Sequence, residues 1–490
     1  MSLYIYCAAS AISLVVLLRL LRPKSKLPLP PGPKKLPIIG NLLQIPAELQ
    51  WETYMDWSKK YSQSFPSSYH TILRPRFPMV AELMGFDFLL GLAKYGDHWR
   101  KHRQLFHRAF NPTAARNYYP KECLACHELL RRLLHDPDNV MGHLRHMAGS
   151  IIMSVAYGIN VLPQNDPFIE LVRDAINTVA FAAVPGRFLV DAIPALKFVP
   201  AWFPGAGFKR KANEWRKMAH AMVDSPFAEA KRIIASGKAP ASFTSVSLGN
   251  IDESEDREKA EASVKMVAGN MYAGGADTTV SALGTFFLAM LANPEAQEKA
   301  QAEIDAVIGN GDLPDFKDEE SLPYVSALVK EVLRWRSVTP LAIPHYLAVE
   351  DEYKGYRLPA GSIVIPNAWA ILHDEVMYPD PYSFNPDRFL LDGKPNPAVR
   401  SPEAAFGFGR RICPGRHMAH ASMWISAVSI LATFDVTKAV GEDGQVIEPT
   451  YEYEDTGLLS MPLPFKCTIK PRSQRAVDLI RATTNDEENL

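Results

Sequence analysis

Phe406-Gly-Phe-Gly-Arg-Arg-Ile-Cys413-Pro-Gly415 is the stretch of this chain that decides its fold, because it sets one cysteine in a glycine-rich turn. Gly407 and Gly409 allow backbone angles that other residues resist. The next segment, 416–431 (RHMAHASMWISAVSIL), predicts an apolar helix, so Cys413 is expected at or just before a helix N-terminus. Unpaired N–H groups and the helix dipole there favour a thiolate. A buried structural cysteine is the alternative.

In this loop the chain resembles the cytochrome P450 family, because every fixed position of the family's F-x-x-G-x-R-x-C-x-G pattern is present. The resemblance implies a mainly α fold with small β-sheets, in a single catalytic domain behind an N-terminal transmembrane helix. It also implies haem (heme b), whose iron takes the Cys413 thiolate as its axial ligand. Among relatives, the chain looks most like microsomal fungal members of the O-methylsterigmatocystin oxidoreductase type.

Composition excludes some functions and indicates a compartment. The 490 residues carry 53 Lys and Arg against 54 Asp and Glu, and no long basic stripe indicates nucleic-acid binding. The cysteines are odd in number and scattered without disulfide-like spacing: Cys7, Cys123, Cys126, Cys413 and Cys467. They indicate a reducing, cytosol-facing body.

The first residues indicate a membrane anchor. Residues 3–21 are apolar, with no charge before Arg19, and are long enough to span a bilayer as a helix. The basic residues follow this run rather than precede it, so the positive-inside rule leaves the body in the cytosol. A cleaved secretory signal is the alternative.

The segment after the anchor is dense in proline and resembles the hinge of microsomal family members, which suggests the endoplasmic reticulum membrane. We therefore expect a single-pass anchor at 1–22, a hinge at 23–40, the haem-thiolate monooxygenase domain at 41–475 and a polar tail at 476–490. Helical periodicity dominates the domain, with predicted helices at 120–135, 146–157, 168–183, 209–236, 261–292 and 322–336. Short strands are predicted in 353–365 and 457–471.

Ala273-Gly274-Gly275-Ala276-Asp277-Thr278 lies inside the long apolar helix and carries the second strong signal. Paired glycines cost a helix interior about 1 kcal/mol each relative to alanine, so they need a compensating reason, such as close approach of a flat ring. The run matches the family's G-G-x-D-T motif for oxygen activation. The resemblance implies that Thr278 hydrogen-bonds dioxygen and that Asp277 couples a proton relay to solvent. A helix kink with satisfied Asp and Thr is the alternative.

Two further sets of residues match the family's pattern. Trp99 and Arg103 share one helix face, and the resemblance implies that they bind the haem propionates together with His345 and Arg411. It also implies a buried network that locks the cysteine loop, formed by Glu331, Arg334 and Arg388.

Two metal-like patterns compete with this interpretation. Cys123-Leu-Ala-Cys126-His127 matches the c-type haem attachment pattern, although it lies in an amphipathic helix, and an ordinary helix is the alternative. His98 and His102, at positions i and i+4 of a helix, could contact a metal ion; a solvated, basic helix face is the alternative.

Two regions leave structural questions open. Residues 59–88 are short for the two strands and short helix that the family places there, so that 69–73 would keep one strand and the other has no source. Residues 193–208 hold Trp202, Phe203 and Phe208 among prolines and glycines. They predict either a loop that dips into the membrane, as in the family, or core packing.

The resemblance implies a monooxygenase that inserts one oxygen atom from O2 into a lipophilic organic substrate, as in secondary metabolism. Electrons would come from NADPH through a flavoprotein reductase, with cytochrome b5 as a further donor. The basic residues that could dock the reductase are Arg100, Lys101 and Arg410. Ordinary solvated surface charge is the alternative interpretation of these residues. The alternatives are a haem-thiolate isomerase or dehydratase, and an inactive product of the shortened region.

Overall fold

The computed structural model describes residues 27–36, 40–46, 48–61, 72–184, 186–253, 256–309, 311–455 and 458–484. The expected anchor at 1–22 lies outside these residues, as do parts of the hinge and of the shortened region. The main helices are Gln50–Tyr61 (α1), Asp97–Phe110 (α2), Pro112–Ala115 (α3), Tyr119–His135 (α4), Val140–Tyr157 (α5), Pro167–Ala182 (α6), Leu189–Ala192 (α7), Gly207–Ala235 (α8), Phe243–Gly249 (α9), Arg257–Ala292 (α10), Pro294–Val307 (α11), Pro323–Trp335 (α12), Ala368–Leu372 (α13), Arg416–Thr433 (α14) and Gln474–Ala482 (α15).

The strands are short and pair antiparallel throughout the described residues. They are Ile72–Leu73 (β1), His345–Leu347 (β2), Asp351–Tyr353 (β3), Tyr356–Leu358 (β4), Ile363–Val364 (β5), Leu390–Leu391 (β6), Lys394–Pro395 (β7), Phe434–Val440 (β8), Val446–Ile447 (β9), Tyr453–Asp455 (β10), Ser460–Pro462 (β11) and Cys467–Pro471 (β12). β2 lies between β1 and β5, and β8 lies between β12 and β9, while the other six strands form two-stranded hairpins. The predicted fold class, mainly helical with small sheets, is confirmed.

Helix α10 forms the centre of the helical body. The Asp256 carboxylate accepts from the Lys259 backbone N–H at 3.3 Å and caps the helix, and Asn293-Pro294 ends it as predicted. Among the described residues it is the one helix long and apolar enough to cross a membrane, but 83% of its apolar window is buried inside the protein. It is therefore a core helix that brings the Gly-Gly-x-Asp-Thr run to the middle of the fold.

In the described part of the shortened region, residues 72–73 form a strand within the predicted 69–73. Ile72 pairs with Leu347 and Leu73 with Tyr346, which adds β1 to the edge of β2. The helical turn Pro78–Leu83 follows at once, and Met79, Met84 and Phe86 are completely buried. The segment after residue 71 therefore contributes to the main core.

Two surface segments are described. The first part of the segment after residue 475 is helical up to Ala482, because Ser473 caps α15 and the apolar side chains of Ala476 and Ile480, one turn apart, are buried. In the 193–208 connector, Trp202 is 79% exposed and Phe203 is 49% exposed. Core packing is therefore wrong for these two side chains.

The competing metal-like patterns form ordinary helix. Cys123 and Cys126 lie on α4, where the buried Cys126 thiol donates to the Ile425 carbonyl at 3.6 Å. The rings of His98 and His102 are in contact, with centroids 4.0 Å apart and planes tilted by 55°, but His102 is buried, so the expected solvated face is wrong for that residue. Within the described part of the chain, no group of three or more His, Cys, Asp or Glu side chains is arranged to hold a metal ion.

Candidate active site

The cysteine turn has the backbone that its glycines predict. The turn Glu403–Phe406 ends at Gly407, whose φ of +84° and the +55° of Gly409 lie in the left-handed region that favours glycine. The Cys413 N–H then donates to the Phe406 carbonyl at 2.8 Å, which closes the loop. Helix α14 begins at Arg416, so Cys413 lies just before a helix N-terminus as predicted.

Burial dominates the titration of the Cys413 thiol. Burial raises its pKa, while the Gly415 backbone N–H and the guanidinium groups of Arg103 and Arg416 act in the opposite direction. The backbone N–H at the start of α14 thus favours the thiolate, while desolvation favours the neutral thiol. A coordinated metal ion deprotonates a thiol outright, and these three donors then stabilise the anion.

Trp99 and Arg411 lie together beside the loop. The Arg411 guanidinium lies over the Trp99 ring, 4.2 Å from its centroid. Arg411 Nη1 donates to the carbonyls of Leu90 at 3.2 Å and Ala93 at 3.1 Å. Arg411 Nη2 and the Trp99 indole Nε1 are buried and have no hydrogen-bond partner among the described residues. Two strong donors are thus held in fixed positions with their hydrogen bonds still to be made.

His345 and a residue that the sequence did not reveal, Arg74, extend this group. Arg74 is 6% exposed and donates through Nη1 to the carbonyls of Ile343 and Pro344, while its Nε and the His345 Nδ1 are buried without a partner in the described structure. Burial, reinforced by Arg411, lowers the pKa of Arg74 to about 9. Burial and the charges of Arg74 and Arg411 lower the pKa of His345 to about 4.

The donor set fits a dianion. Buried polar groups are almost always hydrogen-bonded, yet four unpaired ring or guanidinium nitrogens converge here, on Arg74, Trp99, His345 and Arg411. Neither arginine forms an ion pair with a carboxylate within the described residues. Two carboxylates of a ligand would satisfy these groups, as the propionates of haem do. Arg103 lies near the thiol. Burial lowers the pKa of its guanidinium group, the charge of Cys413 raises it, and the charge of Arg416 lowers it further.

Helix α10 presents its two glycines to different surroundings. A Cβ on Gly275 would lie 3.0 Å from Ile152 of α5, whereas a Cβ on Gly274 would meet nothing within 4 Å. Gly275 therefore permits close packing of α10 against α5. Of the two glycines, only Gly274 leaves room for a flat ring to approach the helix backbone. The Thr278 hydroxyl donates to the Gly274 carbonyl at 2.7 Å, so both lie beside the same open space.

Asp277 points the other way, into a charged cluster. It is 5% exposed, and its Oδ1 lies 3.8 Å from the Arg145 Nε. Burial raises the pKa of the Asp277 carboxyl, and the guanidinium groups of Arg145 and Arg173 oppose the rise. Because both arginine side chains are partly exposed, this cluster connects Asp277 with solvent.

The predicted Glu331–Arg334–Arg388 network is present. Glu331 accepts from Arg334 Nε at 2.7 Å and Nη2 at 2.8 Å, and from Arg388 Nε at 3.2 Å. Arg334 also donates to the carbonyls of residues 372, 381 and 383, which fixes the segment between α13 and β6. The Tyr378 hydroxyl in that segment donates to the Arg400 carbonyl at 3.0 Å, just before the cysteine turn.

Comparisons with known proteins agree with this geometry. The sequence model described as Cytochrome P450 matches residues 78–469. Cytochrome P450 monooxygenase 98 of Postia placenta is 45% identical over 95% of this chain and 94% of its own length. Tryptamine 4-monooxygenase of Psilocybe cyanescens is 39% identical over 91% of this chain and 93% of its own length. Cytochrome P450 monooxygenase 208 of Postia placenta aligns over 506 residues at 40% identity, more than the 490 of this chain, so the relative has residues that this chain lacks.

Proposed function

Because this chain belongs to the cytochrome P450 family and is a monooxygenase of that family, we propose that it inserts one atom of O2 into a lipophilic organic substrate of secondary metabolism. The observation that carries the cofactor assignment is the set of four unpaired buried nitrogens beside the cysteine turn. Haem b bound there would supply the activation of dioxygen.

The chain's own residues would hold the group from two sides. Cys413 would bind the iron through its sulfur, with its thiolate stabilised by the Gly415 N–H and by Arg103 and Arg416. Trp99, His345 and Arg411, joined by Arg74, would donate to the propionates, and Arg103 would add positive charge near the sulfur. Such bonds would hold the group in one orientation.

On the opposite side, α10 would deliver protons. The Thr278 hydroxyl, which donates to the Gly274 carbonyl beside the open space, would instead donate a hydrogen bond to an acceptor bound in that space. Asp277 exchanges protons with solvent water that reaches it beside the partly exposed Arg145 and Arg173 side chains, and burial raises the pKa of its carboxyl, which favours its action as a proton donor. Thr278 and Asp277 are thus the proposed catalytic residues.

The exposed apolar connector supports membrane attachment. Trp202 at 79% and Phe198 at 77% exposure would enter the bilayer surface, with residues 1–22 as a single-pass anchor in the endoplasmic reticulum and the domain in the cytosol. NADPH would supply electrons through a cytochrome reductase, with cytochrome b5 as a second donor, docked at Arg100, Lys101 and Arg410. Arg100 already pairs with Asp97, so its charge is less available to a partner than that of Arg410.

The deciding experiment is a reduced carbon-monoxide difference spectrum of the full chain. A strongly red-shifted Soret band is expected, and Cys413→Ser should abolish it, whereas Cys123→Ser, at a half-buried helical cysteine, should keep it. No band, or an unshifted band, from the unaltered protein would contradict the assignment and favour an inactive product of the shortened region. NADPH-dependent oxygen uptake with reductase then separates a monooxygenase from an isomerase or dehydratase, which consumes neither.

A further inference from the structure

Leu90 lies between α10 and the cysteine loop, and its backbone is hydrogen-bonded to a side chain of each. Its backbone N–H donates to Asn270 Oδ1 on α10 at 2.6 Å. Its carbonyl accepts from Arg411 Nη1 at 3.2 Å. One residue therefore joins the helix that carries Thr278 to an arginine of the donor cluster.

Asn270 is the α10 side of this link and uses both ends of its amide. The side chain is 8% exposed, and its Nδ2 donates to the Phe88 carbonyl at 2.7 Å and to the Met266 carbonyl at 2.8 Å. With Leu90 bonded to Oδ1, the amide holds the 86–93 segment at two points of its backbone. Because a buried amide is expensive to leave unpaired, this arrangement has one favourable geometry.

The 86–93 segment in turn decides where Arg411 points. The carbonyls of Leu90 and Ala93 both accept hydrogen bonds from Arg411 Nη1, and the Trp99 ring lies against the face of the guanidinium group. The remaining nitrogen, Nη2, is the one left buried and unpaired within the described structure. A Cβ on Gly91 would lie 2.8 Å from Ile343 Cδ1, so the segment is also packed closely on its other side.

We propose that Asn270 is a positioning residue that fixes the 86–93 segment and, through Leu90, aims Arg411 Nη2 at a haem propionate. The inference rests on the propionate role proposed above for Arg411. The Asn270 contact thus couples the packing of α10 to how tightly the cofactor is held. A change in how the 86–93 segment packs thus reaches Arg411 without contacting the cysteine.

Hydrogen exchange and haem loss test this coupling in the full chain. Asn270→Ala removes all three bonds of the amide, so exchange of the peptides that cover 86–93 should rise roughly tenfold or more. Transfer of haem to an excess of apomyoglobin should rise about threefold or more, since Arg411 loses its fixed carbonyls. Asn270→Asp keeps the acceptor for the Leu90 N–H and should restore most of the Leu90 protection.

The matched control is Asn293→Ala at the end of the same helix. Asn293 Nδ2 donates to the Ala289 carbonyl at 2.9 Å, the same i to i−4 bond that Asn270 makes to Met266, but within the described structure no hydrogen bond of its amide reaches the 86–93 segment. Both rates should stay within about twofold of the unaltered protein. An equal effect of Asn293→Ala, or an unchanged exchange rate in Asn270→Ala, would overturn the proposal.

The two readouts separate failure of the coupling from failure of the function. Faster exchange with unchanged haem loss would overturn the link from Leu90 to Arg411. If the unaltered protein bound no haem, the proposed function would fail by itself, and the exchange rates would still support or overturn the Asn270 contact.

Discussion

Replacing Glu331 by glutamine would leave two buried arginines without the carboxylate that they share. Glu331 accepts four hydrogen bonds: two from Arg334, one from Arg388 and one from the Asn385 N–H at 2.8 Å. The side chains of Glu331 and Arg334 are 0% exposed and that of Arg388 is 5% exposed. Removing one partner of such a buried pair costs about 3–5 kcal/mol, and glutamine retains an oxygen for one or two of the bonds. We therefore expect Glu331→Gln to lower the free energy of unfolding by about 3 kcal/mol.

Urea unfolding followed by circular dichroism measures this loss, and Asp387→Asn is the matched control. Asp387 is next to Arg388 but pairs with Lys299 at the surface, where both side chains are at least half exposed. Such a pair contributes about 1 kcal/mol or less. If the two variants lost stability within about 1 kcal/mol of each other, the argument that the network is held by desolvated charge would be refuted.

Three further predictions concern α10 and a second buried acid. Asp277→Asn should lower product formed per NADPH by roughly tenfold or more while the carbon-monoxide spectrum stays unchanged, because only the proton relay is removed; an unaltered yield would exclude that role. Gly275→Ala should destabilise the fold by about 1–3 kcal/mol through its contact with Ile152, whereas Gly274→Ala, which meets open space, should be neutral or stabilising by up to about 1 kcal/mol in thermal unfolding; the reverse order would contradict the packing. Burial raises the pKa of Glu122 from its usual 4.5 to about 8, so between these pH values the folded state keeps a proton that the unfolded chain has released, and stability falls as pH rises across that window. Glu122→Gln should remove this fall and gain at least about 1.4 kcal/mol at pH 8 relative to pH 5, and parallel urea-unfolding profiles of the two proteins would disprove it.

Local sequence patterns predicted the helices and their ends, but they did not predict contacts between segments that are distant in the sequence. Helix α4, predicted from 120 and found from 119, and α10, predicted from 261 and found from 257, both end at the predicted residue because apolar periodicity and Asn-Pro boundaries are local. The cysteine turn and the Glu331 network were expected from the resemblance to the family, since their residues match its motifs. The roles of Asp277, Thr278 and the propionate donors remain predictions.

Arg74 and Asn270 carried no such signal. Arg74 follows a two-residue strand in a proline-rich stretch, and only pairing with β2 brings it to the carbonyls of residues 343 and 344. Asn270 is a single amide in an apolar helix, where a polar residue has no periodicity of its own, and its partners lie some 180 positions away. Helix α15 was missed because only two buried side chains one turn apart distinguish it from a solvated tail.

The crowding of positive charge around Trp99 would make the amount of this protein in a cell depend on cofactor supply. Burial and then the charge of Arg411 lower the pKa of Arg74, and burial and then the charge of Arg103 lower the pKa of Arg411, so a bound dianion would relieve an unfavourable concentration of charge in the folded chain. A ligand that binds only the folded state stabilises it by mass action. Chains synthesised while haem is scarce would therefore be the first to reach the degradation machinery, and expression in a haem-poor host would yield little protein, however well the gene is transcribed.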